Sequence, residues 1–176
     1  EDNHRLLEIG HGNGSHIEWM LKLADGLHYQ GVDISGTMIA EASRLNEPFV
    51  NANRVSFVLS DGKSLPFDKN QFDRIFTVNT VYFWEEPDSY LKEIIRTLKP
   101  AGVFSLGYGT KNSMNKLPFT QFGFTLYNPE EIEEMIRKAG FNLIGSVHHT
   151  EEIVSKSGDR MTRDFSVTTA RKPLEI

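Results

Sequence analysis

No cysteine occurs in the 176 residues, so the chain can hold no disulfide, no thiolate-bound metal and no cysteine nucleophile. Basic residues are outnumbered, 19 Lys and Arg against 24 Asp and Glu, and no run of them is dense enough to follow a phosphate backbone. Nucleic acid is therefore a disfavoured partner. No apolar stretch approaches the roughly 18 residues that a membrane span needs. The opening Glu1, Asp2, Asn3 and His4 lack the basic and apolar regions of a signal peptide. The chain reads as soluble, with the cytoplasm as its default compartment. It carries no internal repeat and no acidic cluster with the spacing of metal ligands. What it does have, 39% apolar and 11% aromatic residues, suffices for one domain with its own core over residues 1–176.

Short β-branched or aromatic runs alternate with segments of helical apolar spacing. Strands are predicted at residues 5–9, 27–32, 55–59, 72–78 and 103–106. A helix is predicted at 15–24, stopped by Gly26, and another from a Ser35 cap through Met38, Ile39, Ala42 and Leu45 to a break near Pro48. A third covers 88–98, ended by Lys99, Pro100, Ala101 and Gly102. Asn128, Pro129 and Glu131 form a start signal for a fourth, closed by Gly140. Residues 109–127 show no clear period. Two last strands, 141–149 and 165–170, read as a hairpin around Lys156, Ser157, Gly158 and Asp159, which carry turn chemistry. Such alternation implies a parallel sheet covered on both faces, with the hairpin completing one edge.

In a sheet of that kind a ligand sits at the carboxyl ends of the strands. There the first strand runs into Glu8-Ile9-Gly10-His11-Gly12-Asn13-Gly14-Ser15. Glycines permit a tight turn and close approach of backbone amides, and the following helix start favours negative charge. The dinucleotide fingerprint G-x-G-x-x-G fails in both registers, because Ser15 and Ile17 stand where its last glycine belongs. The phosphate loop G-x-x-x-x-G-K-[ST] finds its end in Gly62-Lys63-Ser64, but Phe57 occupies the place of its first glycine.

What remains resembles motif I, E/D-x-G-x-G-x-G, of the class I S-adenosylmethionine (SAM) dependent methyltransferases. Further matches follow in the family's order: Asp33 in Gly31-Val32-Asp33-Ile34-Ser35, and Asp61 in Ser60-Asp61-Gly62-Lys63-Ser64-Leu65-Pro66-Phe67. Then come Phe72-Asp73-Arg74-Ile75 with Asn79 ending that strand, and Leu98-Lys99-Pro100-Ala101-Gly102. The likeness is close over residues 5–107, looser beyond, and looks most like the small-molecule branch typified by the ubiquinone and menaquinone biosynthesis methyltransferases. It implies an α/β fold: a Rossmann-like, doubly wound, mostly parallel seven-stranded sheet with a C-terminal antiparallel hairpin. It also implies SAM as methyl donor, S-adenosylhomocysteine as product, and a small-molecule acceptor methylated by in-line displacement with no obligatory catalytic side chain. The family's helices ahead of the first strand have no counterpart here, so an N-terminal cap segment is expected to be missing. Two residues depart from family habit, His11 in the glycine loop and Ala101 where a glycine is usual.

On this resemblance the cofactor residues are Glu8, the loop Gly10, His11, Gly12, Asn13 and Gly14, then Asp33, Ile34, Ser35 and Met38, then Ser60, Asp61 and Gly62, and finally Asn79 and Thr80. Asp33 suits a pair of ribose hydroxyls or the cap of the next helix. Asp61 suits an adenine amino group or a turn before Gly62. Glu8 orients the loop amides, faces the ligand's positive charge, or is structural. Tyr82, Phe83, Trp84, Tyr108, Phe119 and Phe122 are candidates for the acceptor wall, with ring faces toward a sulfonium, although aromatic runs also fill cores. An oxygen acceptor needing a base would draw on His11, Tyr82, Tyr108, His148 or His149. The last two are adjacent on a strand and must point to opposite faces.

The aromatic density of 109–127, with Leu117, Pro118, Phe124 and Tyr127 beside Phe119 and Phe122, fits an acceptor lid, or packing on the sheet edge or on a second subunit of a homodimer. Cytosine C5 transfer is excluded by the missing cysteine. Amino transfer to DNA is disfavoured because Asn79-Thr80-Val81-Tyr82 replaces the Pro-Pro-aromatic sequence of those enzymes. Two rival functions remain: a SAM-binding scaffold or partner protein without transfer activity, and an enzyme of this fold with another nucleotide cofactor.

Overall fold

Neighbouring leucines of the first strand, β1 (Arg5–Ile9), serve two different cores. Leu7 shares one with Ile75, Leu91, Ile94 and Phe104, while Leu6 packs into the other with Ile17, Tyr29 and Val55. Alternate side chains of a strand point to opposite faces, so a strand apolar on both faces must be covered on both. A computed structural model, which describes residues 3–154 and 160–174, shows the sheet that meets this demand. Its other strands are β2 (His28–Asp33), β3 (Val55–Leu59), β4 (Phe72–Val78), β5 (Leu98–Gly109), β6 (Asn142–Val154) and β7 (Arg160–Arg171). They lie in the order β3-β2-β1-β4-β5-β7-β6. The first five pair in parallel, and β7 runs antiparallel between β5 and β6. This is the Rossmann-like sheet with an antiparallel hairpin that the sequence predicts. The expected hairpin turn, Lys156 to Asp159, lies outside the described residues.

The helices are α1 (Ile17–Leu21), α2 (Gly36–Leu45), α3 (Glu47–Asn51), α4 (Pro87–Thr97), α5 (Lys111–Met114) and α6 (Pro129–Lys138). Several differ from the sequence prediction. The first was expected over 15–24, but Asn13 Oδ1 accepts the Ser15 N–H at 3.2 Å in a local turn, and three-residue bonds from Lys22 to Trp19 and Leu23 to Met20 close the far end early. In α2 the Ser35 hydroxyl caps Met38 N–H at 3.3 Å as expected, yet Leu45 is 42% exposed and Ala42 is the residue that packs. Pro48 opens α3 rather than ending helical structure, because a proline in the first turn has no N–H to lose. Asn46, buried at the junction, donates to Ala42 O and Gly14 O, both at 3.0 Å, and so ties α2 to the glycine loop. The α6 start is as predicted, with the Asn128 N–H donating to Glu131 Oε2 at 2.7 Å. Residues 109–127 contain only α5 and a 3₁₀ turn at Pro118–Gln121.

The strand expected at 103–106 runs from Leu98 to Gly109. It absorbs the Lys99-to-Gly102 turn as an irregularity, with Phe72 opposite Leu98 and Arg74 opposite Val103. No helix links β3 to β4. Arg96 of α4 holds that connection instead, donating to Phe67 O at 2.9 Å and Leu65 O at 3.0 Å, while Glu93 accepts the Leu65 N–H at 3.1 Å. His148 bonds Ser166 and His149 stacks near Phe165, and the cross-strand register places the two histidines on opposite faces, as the strand period requires.

A buried carboxylate fixes the end of β1. Glu8 is 4% exposed, and its Oε2 accepts the Tyr29 hydroxyl at 2.6 Å and meets His16 Nε2 at 2.7 Å. Burial and the Glu8 charge push the Tyr29 pKa far up, so the phenol stays a donor. The hydrogen bond to Glu8 raises the His16 pKa despite partial burial.

Two predictions follow from these local geometries. Ala101 sits at φ +61°, a left-handed conformation that costs an L side chain roughly 1–2 kcal/mol; Ala101→Gly is expected to raise stability by about 1 kcal/mol in urea unfolding, offset partly by the freer unfolded chain. For His16, a raised folded pKa means stabilisation that is complete below the unfolded value near 6.5 and lost as pH rises through the folded one. The stability gap between the native chain and His16→Gln should accordingly be wider at pH 6 than at pH 9, and a pH-independent gap in urea midpoints would refute it.

Candidate functional site

Two hollows meet at the carboxyl end of the sheet. The first, of about 390 Å³, lies over the ends of β1, β2 and β4 and is lined by Gly10, Gly12, Asp33, Asp61, Asn79 and Trp84, among others. The second, of about 630 Å³, lies over β4, β5 and β7. Val78, Asn79 and Phe83 belong to both. A further hollow of about 350 Å³ lined by Arg5, His28 and Arg54 opens at the other end of the strands, away from the glycine loop.

The glycine loop owes its shape to its residues. Gly10, Gly12 and Gly14 have φ of +75°, +56° and +67°. A β-carbon on Gly10 would also lie 2.4 Å from Thr80 Cγ2, so the loop and the β4 end pack only without a side chain there. Thr80 is itself fixed through Thr77, whose hydroxyl lies 2.5 Å from that of Thr80 and donates to Ile9 O at 2.7 Å.

Asp33 is not the cap of α2, a place taken by Ser35, but it is engaged at both carboxylate oxygens. Its Oδ1 accepts the Ser35 N–H at 2.9 Å at the head of α2, and its Oδ2 accepts the Gly12 N–H at 3.2 Å while the residue lines the first hollow. Asp61 lines it too, but Oδ1 is engaged by the N–H groups of Ser64 and Lys63 at 2.9 and 2.8 Å, which hold its pKa below the usual carboxylate range. Ser60 and Gly62 complete that turn, the Gly62 N–H donating to Ser60 Oγ at 3.1 Å. Asn79 stands at φ +58°, with its N–H on Gly107 O at 2.9 Å and its Oδ1 accepting the Tyr82 hydroxyl at 3.2 Å.

Other sequence-predicted residues lie elsewhere. Glu8, Asn13, Gly14, Ser35 and Met38 do not line the hollow, whereas Ile34 does. The expectation that His11 reaches an acceptor is corrected: its ring is 3% exposed and turned under the loop, 4.8 Å from Phe57. A β-carbon on Gly31 would come within 2.6 Å of that ring, so Gly31 makes its berth. Burial lowers the His11 pKa. The neutral ring donates from Nδ1 to Gly12 O at 2.7 Å, and Nε2 has no partner among the described residues.

Of the aromatic candidates, Trp84 lines the first hollow, Phe83 both, and Tyr82, Tyr108 and Phe119 the second. Phe122 is 78% exposed and lines neither. The Tyr82 hydroxyl accepts the Gly109 N–H and is pushed up to about 12 by burial; burial raises Tyr108 likewise. Neither is a base near neutral pH. His148 and His149 line neither hollow.

Sequence reasoning missed Lys63, Glu85 and Tyr90 at the first hollow and Glu151, Arg163 and Phe165 at the second. One signal was present: Gly107 and Gly109 alternate on β5, opposite Val167 and Phe165 of β7, and the missing side chain at Gly109 lets Met114 pack against the strand, since a β-carbon there would lie 2.8 Å from its sulfur. Among the described residues no three His, Asp or Glu side chains gather as a metal site requires, and no helix is long and apolar enough to cross a membrane.

Comparison with known proteins agrees with this architecture. Phosphoethanolamine N-methyltransferase 2 of Caenorhabditis elegans is 30% identical over 144 residues, which are 77% of this chain and 32% of that protein. The chain spans from about a third to a half of the length of these curated relatives that it matches. Among solved structures, a SAM-dependent methyltransferase of Methanosarcina mazei has the same fold, with a TM-score of 0.77 at 19% identity over 99% of this chain and 95% of that one. So has phosphoethanolamine N-methyltransferase 2 of Haemonchus contortus in complex with phosphomonomethylethanolamine and S-adenosylhomocysteine, at TM-score 0.75 and 23% identity over 98% of this chain and 50% of that one. The methyltransferase domain family itself matches residues 7–106, from β1 through most of β5 and across the whole first hollow, and to that family this chain belongs.

Proposed function

We propose that the chain is a SAM-dependent methyltransferase acting on a small-molecule acceptor, of the branch its motifs resemble, the ubiquinone and menaquinone type. The junction of the two hollows carries this reading: a donor over the ends of β1 and β4 and an acceptor over β5 and β7 would meet at Val78, Asn79 and Phe83. Both volumes fall within the roughly 300–1,000 Å³ of small-ligand sites.

The residues present fit the cofactor. Each Asp33 oxygen accepts one internal N–H, which leaves lone pairs for two ribose hydroxyls. Gly10 and Gly12 bring backbone to the ligand without side chains between, and the Asp61 turn is held in shape by its own amides and, through Leu65, by Arg96. Phe83 and Trp84 offer ring faces at the wall, which suits a cation. The bound cofactor supplies an electrophilic methyl group on a positive sulfur.

The chain's own contribution is alignment and exclusion of water, worth up to roughly 7–11 kcal/mol in well-oriented systems. Tyr82 serves as a positioning residue, because its hydroxyl joins Asn79 at the end of β4 to Gly109 at the end of β5. The lining of the second hollow holds no histidine, and Glu151 is its one carboxylate. The acidic balance of 19 against 24 favours a small molecule over nucleic acid, and the cytoplasm is the compartment assigned on the same reading. We assign residues 1–176 to one catalytic domain, to Phe119 the facing of an acceptor, and to exposed Phe122, which lines neither hollow, the facing of a second subunit.

Titration calorimetry with S-adenosylhomocysteine tests this reading. Micromolar binding is expected, and Asp33→Ala should weaken it by about 10- to 100-fold, the equivalent of the roughly 1.5–3 kcal/mol of hydrogen bonds to a charged group. Circular dichroism of the variant controls for folding. Absence of binding to the native chain would overturn the proposal, whereas binding without turnover over a broad acceptor panel would favour a SAM-binding scaffold.

A further inference from the structure

The second hollow is apolar over most of its wall, with Met114, Leu117, Phe124 and Phe165 beside Tyr82 and Phe83. Three ring contacts converge on Phe124, from Phe83 at 4.6 Å and from Tyr82 and Phe119 at 5.7 Å each. Against this background stands a single ion pair. Glu151 of β6 and Arg163 of β7 face each other directly in the antiparallel register, and both line the hollow.

The pair is asymmetric. Arg163 donates from Nε at 2.7 Å and from Nη2 to the same atom, Glu151 Oε1. A guanidinium has five N–H donors, so Nη1 remains without a partner among the described residues. Arg163 is also the more open member, with its side chain 47% exposed against 32% for Glu151. Its charge is felt inside the hollow: burial lifts the Tyr82 hydroxyl, and the Arg163 cation acts against that lift. The cation therefore projects its field toward the wall beside Asn79, where the two hollows join.

We propose that the acceptor is a predominantly apolar small acid, whose carboxylate or other planar oxyanion docks on Arg163 while its hydrocarbon or ring body fills the Phe83, Phe119 and Phe124 wall. This rests on the methyltransferase reading of the same site and adds the acceptor's chemical class. The guanidinium fork matches an oxyanion in a geometry that lysine cannot copy, and the apolar wall strengthens the contact by excluding water. Glu151 holds the guanidinium in place before binding and lowers the charge it presents, so it tunes the affinity downward. A chain with 24 acidic residues against 19 basic ones would otherwise repel such a ligand, which makes a local cation at the mouth necessary.

The test uses 2-naphthoate, 2-naphthamide and 2-naphthylmethylamine as probes of matched shape, with calorimetric or ligand-detected NMR titrations run both with and without saturating S-adenosylhomocysteine. Naphthoate should bind at least tenfold tighter than the amide and the amine. Arg163→Met should bring naphthoate to the level of the amide with S-adenosylhomocysteine affinity unchanged, and Glu151→Gln should tighten naphthoate. Equal binding of acid and amide, preference for the amine, indifference to Arg163→Met, or failure of all three probes would overturn the assignment. A chain that binds naphthoate selectively but not S-adenosylhomocysteine would leave the acid site standing and remove the methyltransferase reading instead.

Discussion

The reversal of strand order between β1 and β4 is the constraint on which the rest of the molecule depends. From β1 the chain proceeds outward to β2 and β3, and from β4 it proceeds the other way to β5. Right-handed crossovers in the two directions place their helices on opposite faces, which is why Leu6 and Leu7 enter separate cores. The segments leaving β1 and β4 must then diverge, and a crevice opens between them at the carboxyl end. The first hollow takes much of its lining from segments that leave a strand at this end: Gly10 and Gly12 after β1, Asp33 at the end of β2, Asp61 after β3, Asn79 after β4. The site is thus a consequence of topology before it is a consequence of side chains.

A crevice alone would not hold a ligand in one geometry, and the glycine loop that borders it has few side chains of its own to pack. It is fastened from four directions by other elements. Glu8 anchors its root through Tyr29 of β2 and His16 at the head of α1, Asp33 takes the Gly12 N–H, Asn46 takes up Gly14 O, and Thr80 closes against Gly10. A buried carboxylate would be strongly unfavourable without donors, so the demand of Glu8 for partners ties β1, β2 and α1 together. His11 fills the space beneath. Loss of loop entropy is thereby met during folding rather than at binding, which is the physical content of preorganisation.

This division explains what could be read from the sequence. The first hollow is governed by backbone conformation: left-handed φ at Gly10, Gly12 and Gly14 and an aspartate at a strand end impose residue types at fixed spacing, so a linear motif carries the information. Ala101 was noticed as a departure from family habit for the same reason, since its φ of +61° is one a glycine would adopt freely. The berth of His11 escaped notice because it depends on a missing side chain at Gly31, 20 residues away (31 − 11) on another strand. The shortness of α1 escaped too, because helical spacing of Ile17, Met20, Leu21 and Ala24 cannot reveal that three-residue hydrogen bonds prevail at its end. Leu45 satisfied the period yet is 42% exposed, while Ala42 of the same helix is buried.

The second hollow obeys a different rule. Its walls come from Val78 to Phe83, from Gly107 to Phe124, and from Glu151 and Arg163 to Val167, three stretches brought together by the pairing of β4 with β5, of β5 with β7 and of β7 with β6. Position there is set by register, and a shift of one residue would turn Arg163 and Phe165 to the opposite face and substitute Asp164 and Ser166. No local motif records a register. Asn79 is where the two rules touch: its left-handed backbone belongs to the motif side, while its carbonyl oxygen serves Tyr82 and thereby the β5 end. Glycine would adopt that φ with less strain but could not accept the phenol, and most other residues could do neither. Asparagine tolerates the left-handed region better than most residues and brings an acceptor, so one side chain reconciles the conformation found at the edge of the first hollow with the bond that shapes the second.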